Sequence, residues 1–157
     1  MENALLTKNY YNHILFEPMY FSNHSENKPI GGSNGALRLT EMFFDLLEKQ
    51  FPDSSPGRKM KCRFPVDFAE TLSIHVNHLN RCLKDTTGKT TSQHIADRII
   101  LEACALLHDS KWNICEIGYR FGFEEGPHFI NFFKKNMKMS PTAYRRLIRS
   151  KLMVKGW

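Results

Sequence analysis

Apolar residues recur every three or four positions through most of this chain, and the stretches in which they do are bounded by glycine, proline or a capping side chain. The longest covers 91–110, where Ile95, Ile99, Ala103 and Leu106 share one side of a helix and Arg98, Glu102 and Asp109 fall on the other. Thr90, followed three residues later by Gln93, supplies its start. The hydroxyl and the amide each satisfy an N–H that the first turn leaves unpaired.

The same reading extends to both sides. Residues 3–16 carry Leu5, Leu6, Tyr10, Ile14 and Leu15 at helical spacing and stop before Pro18. Residues 22–35, with three glycines and a proline, read as a loop, and 36–51 as a helix with Leu39, Phe43, Leu46, Leu47 and Phe51 on one side. Pro52 and the run Asp53-Ser54-Ser55-Pro56-Gly57 close it as a linker. A short helix over 66–72, a turn at Ser73-Ile74 and a helix over 75–87 ended by Gly88 then have helix-turn-helix spacing. Beyond the long helix the plan returns. Asn113 caps a helix with Glu116 at its third position, that helix runs through Ile117 to Phe121, Gly122-Phe123 turns the chain, and 126–137 is helical again.

The return can be tested by offset. Leu79, Leu83-Lys84 and His94 match Phe129, Phe133-Lys134 and Tyr144 at a shift of 50, whereas Phe68 and Leu72 match Ile117 and Phe121 at 49. The second turn is therefore one residue longer. The fold class expected is all-α: two helix-turn-helix units joined by a central linker helix, preceded by an N-terminal helical arm.

Composition changes this picture through the placement of charge. Residues 58–157 carry 18 Lys and Arg against 9 Asp and Glu, while residues 1–57 carry 4 against 7. The chain accordingly reads as an arm and linker over 1–57 and a basic domain over 58–157, the basic part being the candidate for a polyanionic partner. Two amphipathic helices in the arm bury little alone. Their stripes need either the basic domain or a second copy of the chain, which would make the arm a homodimer contact.

No run of about 18 apolar residues is present, so no membrane span is expected, and the N-terminus lacks the pattern of a signal peptide, which points to the cytoplasm. Cys62, Cys82, Cys104 and Cys115 form no C-x-x-C pair and read as reduced thiols. Cys62, between Lys61 and Arg63, invites a redox reading, with a plain linker thiol as the simpler one. His75 and His78 lie three apart without a third ligand nearby, so no metal and no cofactor is expected. The chain has no phosphate-cradling glycine loop and no nucleophile elbow, and is read as no enzyme. No effector is indicated.

The stretch from Phe68 to Arg146 resembles the DNA-binding domain of the AraC/XylS family of transcription regulators. The resemblance is carried above all by Ile114-Cys115-Glu116-Ile117, Gly122-Phe123, Phe129, Phe132-Phe133-Lys134-Lys135, Ser140-Pro141 and Tyr144-Arg145. It implies that each second helix of a unit enters a major groove of double-stranded DNA. It also implies base-reading faces at Asn77, Asn80 and Arg81 in the first unit and at Gly126, Pro127, Ile130 and Asn131 in the second. His75 and His78 would add polar contacts. Arginine can fork onto guanine and asparagine onto adenine, so the first unit is well supplied for direct readout. In the second, Asn131 is the one good hydrogen-bonding group and Lys134 and Lys135 would dock on phosphates.

Three positions depart from the family pattern: His75 where a serine or threonine cap is usual, Thr91 in place of a proline, and Lys138 in place of a glycine. They predict a changed first cap and a less sharply ended second helix. Relatives often carry a cupin-like sensor barrel upstream, which residues 1–57 are too few to build. A second expectation, from another class, is a protein-interaction module that modulates another regulator through its N-terminal helices and binds DNA weakly.

Overall fold

The helix predicted over 91–110 is the axis on which most of the other helices lie. The computed structural model describes residues 34–51, 59–109 and 111–154. In order they form α1 (Asn34–Glu48), α2 (Pro65–Thr71), α3 (Val76–Thr87), α4 (Thr91–Asp109), α5 (Ile114–Arg120), α6 (Gly126–Met137) and α7 (Pro141–Val154). The helix expected over 3–16 and the linker over 52–57 lie outside the described residues.

Helix α4 packs against α2, α3, α5, α6 and α7, because its apolar side is broad. Ile95, Ile99, Ile100, Ala103, Cys104, Leu106 and Leu107 are all buried. Its start is the predicted one: Thr90 Oγ1 accepts from Gln93 N at 3.2 Å, and Gln93 Oε1 accepts from Thr90 N at 2.8 Å. Its polar side carries a cluster of contacts around Arg98. The Arg98 guanidinium lies 4.1 Å above the Phe51 ring, donates to both carboxylate oxygens of Glu48 at 2.8 and 3.3 Å, and reaches Glu102 at 3.1 Å.

Helix α1 begins at Asn34, inside the stretch read as a loop, and ends at Glu48. Residues 49–51 follow as a turn closed by Gln50 N to Leu47 O and Phe51 N to Glu48 O, both 3.0 Å. Its stripe finds a partner within the chain. Phe43 and Leu47 are fully buried in the core shared with the later helices, Phe43 stands 5.2 Å from Phe68, and Thr40 and Thr86 share a 2.8 Å hydroxyl bond. Each such aromatic or aliphatic side chain contributes about 1.5–3 kcal/mol by leaving water.

The segment 59–64 then runs from the end of α1 to the second unit. Gln50 Oε1 accepts from Cys62 N at 3.0 Å, Met60 N donates to Arg120 O at 2.8 Å, and Arg63 Nη1 donates to Gly122 O at 2.9 Å. Helix α7 was not anticipated as an element. Its signals are Ser140 accepting from Ala143 N at 3.2 Å, Pro141 at the first turn, and the buried pair Tyr144 and Ile148.

Candidate nucleic-acid interface

Each unit is built from the same local devices. A carboxylate at the third helical position holds the entry of its first helix. Asp67 Oδ2 accepts from Arg63 N and Phe64 N, both 2.8 Å, and Glu116 Oε2 accepts from Asn113 N at 2.7 Å while Asn113 Oδ1 accepts from Glu116 N at 2.9 Å. The turns match bond for bond. Ser73 N reaches Glu70 O and Ile74 N reaches Ala69 O; Gly122 N reaches Tyr119 O and Phe123 N reaches Gly118 O, all 3.0 Å. Both turns need a left-handed residue, Ser73 at φ 55 and Gly122 at φ 80. Glycine adopts that conformation freely and serine at a cost.

The second helix of each unit buries one side and shows the other. In α3, Leu79, Cys82 and Leu83 are buried while His75, Asn77, His78, Arg81 and Lys84 are exposed. In α6, Phe129 and Phe133 are buried while Pro127, His128, Asn131, Lys134 and Lys135 are exposed. His75 serves as the cap of α3, its Nδ1 accepting from Asn77 N at 3.2 Å. That nitrogen is thus engaged by the chain itself. His78 Nδ1 stands 3.4 Å from an Arg81 guanidinium nitrogen, so the two exposed side chains steady each other one turn apart.

Three residues expected on the base-reading faces are less exposed than the others. Gly126 is buried: a Cβ there would meet Cys115 Sγ at 2.7 Å, so its smallness serves the close approach of α6 to α5. Asn80 is half-buried, and its Oδ1 accepts from Thr91 N at 3.1 Å and Thr91 Oγ1 at 3.4 Å. Ile130 is also half-buried.

A helix-turn-helix domain family model matches residues 68–147 of this sequence, both units and the helix between them. The chain belongs to the AraC/XylS family. It is 32% identical over 78 residues to the HTH-type transcriptional activator RhaS of Escherichia coli, and 36% identical over 66 residues to the MmsAB operon regulatory protein of Pseudomonas aeruginosa. These alignments cover 50% and 42% of this chain but only 28% and 22% of the relatives, so the chain spans about a quarter of their length.

Several solved structures share the fold, two among them at similar coverage. One is a regulator with an AraC-type DNA-binding domain from Chromobacterium violaceum, with a TM-score of 0.55 and 21% identity, covering 73% of this chain and 95% of that one. The other is the DNA-binding domain of AdpA in complex with a target DNA, with a TM-score of 0.57 and 22% identity, covering 72% and 94%. Both cover a larger share of the chain than the stretch 68–147 accounts for, in keeping with the place of α1 in the common core.

Within this AraC-type domain, His128 was missed in the sequence. It is exposed, its Nε2 lies 3.9 Å from Glu125 Oε2, and it stands fifty residues after His78. The repeat offset alone would have found it. Lys138 corrects a second expectation. It takes the left-handed conformation at φ 58 and donates its N–H to Lys134 O at 2.9 Å, as Gly88 does at φ 76 to Lys84 O. Helix α6 therefore ends as sharply as α3 does.

The thiols are all free. Cys82 and Cys104 are buried, Cys62 is half-buried with its Sγ 3.9 Å from Thr71 Oγ1, and Cys115 is exposed. Burial pushes the Cys104 thiol up to about 12, against a smaller opposing hydrogen bond from Tyr144. Among the described residues no three His, Cys, Asp or Glu side chains gather as a metal site, and no helix is long and apolar enough to cross a membrane.

Proposed function

We propose that this chain binds duplex DNA in a sequence-specific manner as a transcriptional regulator, with α3 and α6 entering successive major grooves. The observation that carries the reading is the pair of exposed polar rows, Asn77, His78 and Arg81 on α3 and His128, Asn131, Lys134 and Lys135 on α6. Each row lies on a helix whose opposite side is anchored in one core. Helix α4, at 19 residues, spans about 28 Å, a little short of the ~34 Å between successive groove entries. The likeness of fold to a domain solved on its target DNA supports the placement of both helices.

In this reading Arg81 forks onto guanine O6 and N7, steadied by His78, and Asn77 offers its amide to adenine N6 and N7. Asn131 is the reader of the second unit, with His128 beside it, and Lys134 and Lys135 neutralise phosphates. The test is selection from a random duplex pool by the full chain, repeated across a salt series. An enriched motif spanning two major grooves, bound with affinity that falls steeply with salt, supports the reading. The absence of any enriched motif, with weak binding even at low salt, overturns it in favour of a protein-interaction module.

A further inference from the structure

Where each recognition helix meets the helix that follows it, the residues at three matched pairs of positions differ in chemistry. In the first unit these three pairs are polar. Asn80 Oδ1 accepts from Thr91 N and Oγ1 at 3.1 and 3.4 Å, Thr87 Oγ1 lies 2.7 Å from His94 Nε2, and Lys89 Nζ donates to Asp97 Oδ2 at 2.7 Å. At the same positions fifty residues on, the second unit has Ile130 with Pro141, Met137 with Tyr144, and Met139 with Leu147.

The first of these pairs is a coupled change. A proline at the first position of a helix brings no N–H. Thr91 brings both an N–H and a hydroxyl into a site with 0% exposure, where an unpaired donor costs about 1–3 kcal/mol. The Asn80 carbonyl accepts both, which engages its two lone pairs. A fork onto adenine needs that same oxygen together with the amide nitrogen.

We propose that Asn80 is a positioning residue: it fixes α3 to the start of α4 and thereby sets where Arg81 meets its base pair, without reading a base itself. The inference rests on the DNA-binding reading above.

The experiment measures affinities of the full chain for its selected site and for every single-base variant of that site. Asn80→Ile strands the Thr91 donors and lowers discrimination about threefold to tenfold at the base pair that Arg81→Ala relaxes. The double variant Asn80→Ile, Thr91→Pro carries the second unit's pair and returns to within about twofold of the parent. Loss of preference in the double variant at a base pair other than that of Arg81 makes Asn80 a reader and overturns the proposal. An Asn80→Ile profile identical to the parent's overturns it as well.

Should Asn80→Ile fail to fold by circular dichroism, Asn80→Asp decides. It keeps the acceptor for Thr91 and lacks the amide donor, so an unchanged ranking of sites supports the proposal and a new preference at one base pair refutes it. A parent that ranks no site at all overturns the DNA reading itself, whereas a parent that ranks sites beside a deviating double variant overturns only the role of Asn80.

Discussion

At the start of α4 a fully buried threonine gives two donors to Asn80, while at the start of α7 a proline stands with no donor to give and position 130 is isoleucine. The two halves share helix order, turn bonds and left-handed helix ends, yet the positions that pair through polar groups in the first hold Ile130, Pro141, Met137, Tyr144, Met139 and Leu147 in the second. Backbone geometry therefore does not depend on the chemistry of the joint, provided each buried donor finds an acceptor. What the chemistry changes is which side chains remain free to face outward. Asn80 is engaged in the first unit, and in the second Asn131 and His128 stand on the exposed row beside Lys134 and Lys135.

The sharpest way to break the equivalence of the halves is through the helix crossing beneath each turn. Gly118 lies against Phe129, and a Cβ there would stand 2.9 Å from Phe129 Cβ and 3.1 Å from its Cγ, atoms that move only if the helix moves. The first unit has Ala69 at this position and Leu79 at that of Phe129. Gly118→Ala is expected to cost about 1–3 kcal/mol in urea denaturation, and Phe129→Leu, which keeps both Cβ and Cγ, does not recover it. No measurable loss would mean that the two crossings are not fitted to their residues.

A pH dependence separates the joints next. Burial, aided by Lys89 and opposed by Asp97, lowers the His94 imidazole from 6.5 to about 4. The unfolded chain takes up this proton near pH 6.5 and the folded chain only near pH 4. Between those values the unfolded state binds more protons, and acidification through the window lowers stability. Thr87→Met with His94→Tyr gives the first joint the second joint's pair, and melts recorded from pH 7 to pH 4 should then lose this contribution to the slope. An unaltered slope would place the dependence elsewhere.

The smallest effect concerns the helix ends. Lys138 holds a conformation that costs an L-residue about 1 kcal/mol, so Lys138→Gly should raise stability by up to that amount and Gly88→Lys should lower it similarly. Thermal melts of the two variants, shifting in opposite directions, check the symmetry.

Much of this was readable in the sequence where the signal is local. The Thr90 and Asn113 caps, the Gly88 stop and both helix-turn-helix spacings depend on residues three or four apart. The joint was hidden because Asn80 and Thr91 belong to different helices, and an exposed-looking asparagine on a recognition helix gives no hint of its partner. The partner of Arg98 was hidden for the same reason, since Glu48 lies fifty residues away. Gly126 looked like a surface position until Cys115 was seen against it. His128 was readable through the repeat, since it follows His78 by fifty residues.

The most direct test of the proposed division of roles, in which Arg81 reads a base pair while Lys134 and Lys135 dock on phosphates, compares Arg81→Ala with Lys134→Ala, Lys135→Ala on the selected site across a salt series. The account predicts that Arg81→Ala loses about 1–3 kcal/mol of discrimination at one base pair. It predicts that the double lysine variant weakens all sites alike and makes the slope of log affinity against log salt shallower by about 1.8. The reverse assignment, with the lysine variant altering the ranking of sites and Arg81→Ala leaving it intact, would contradict it.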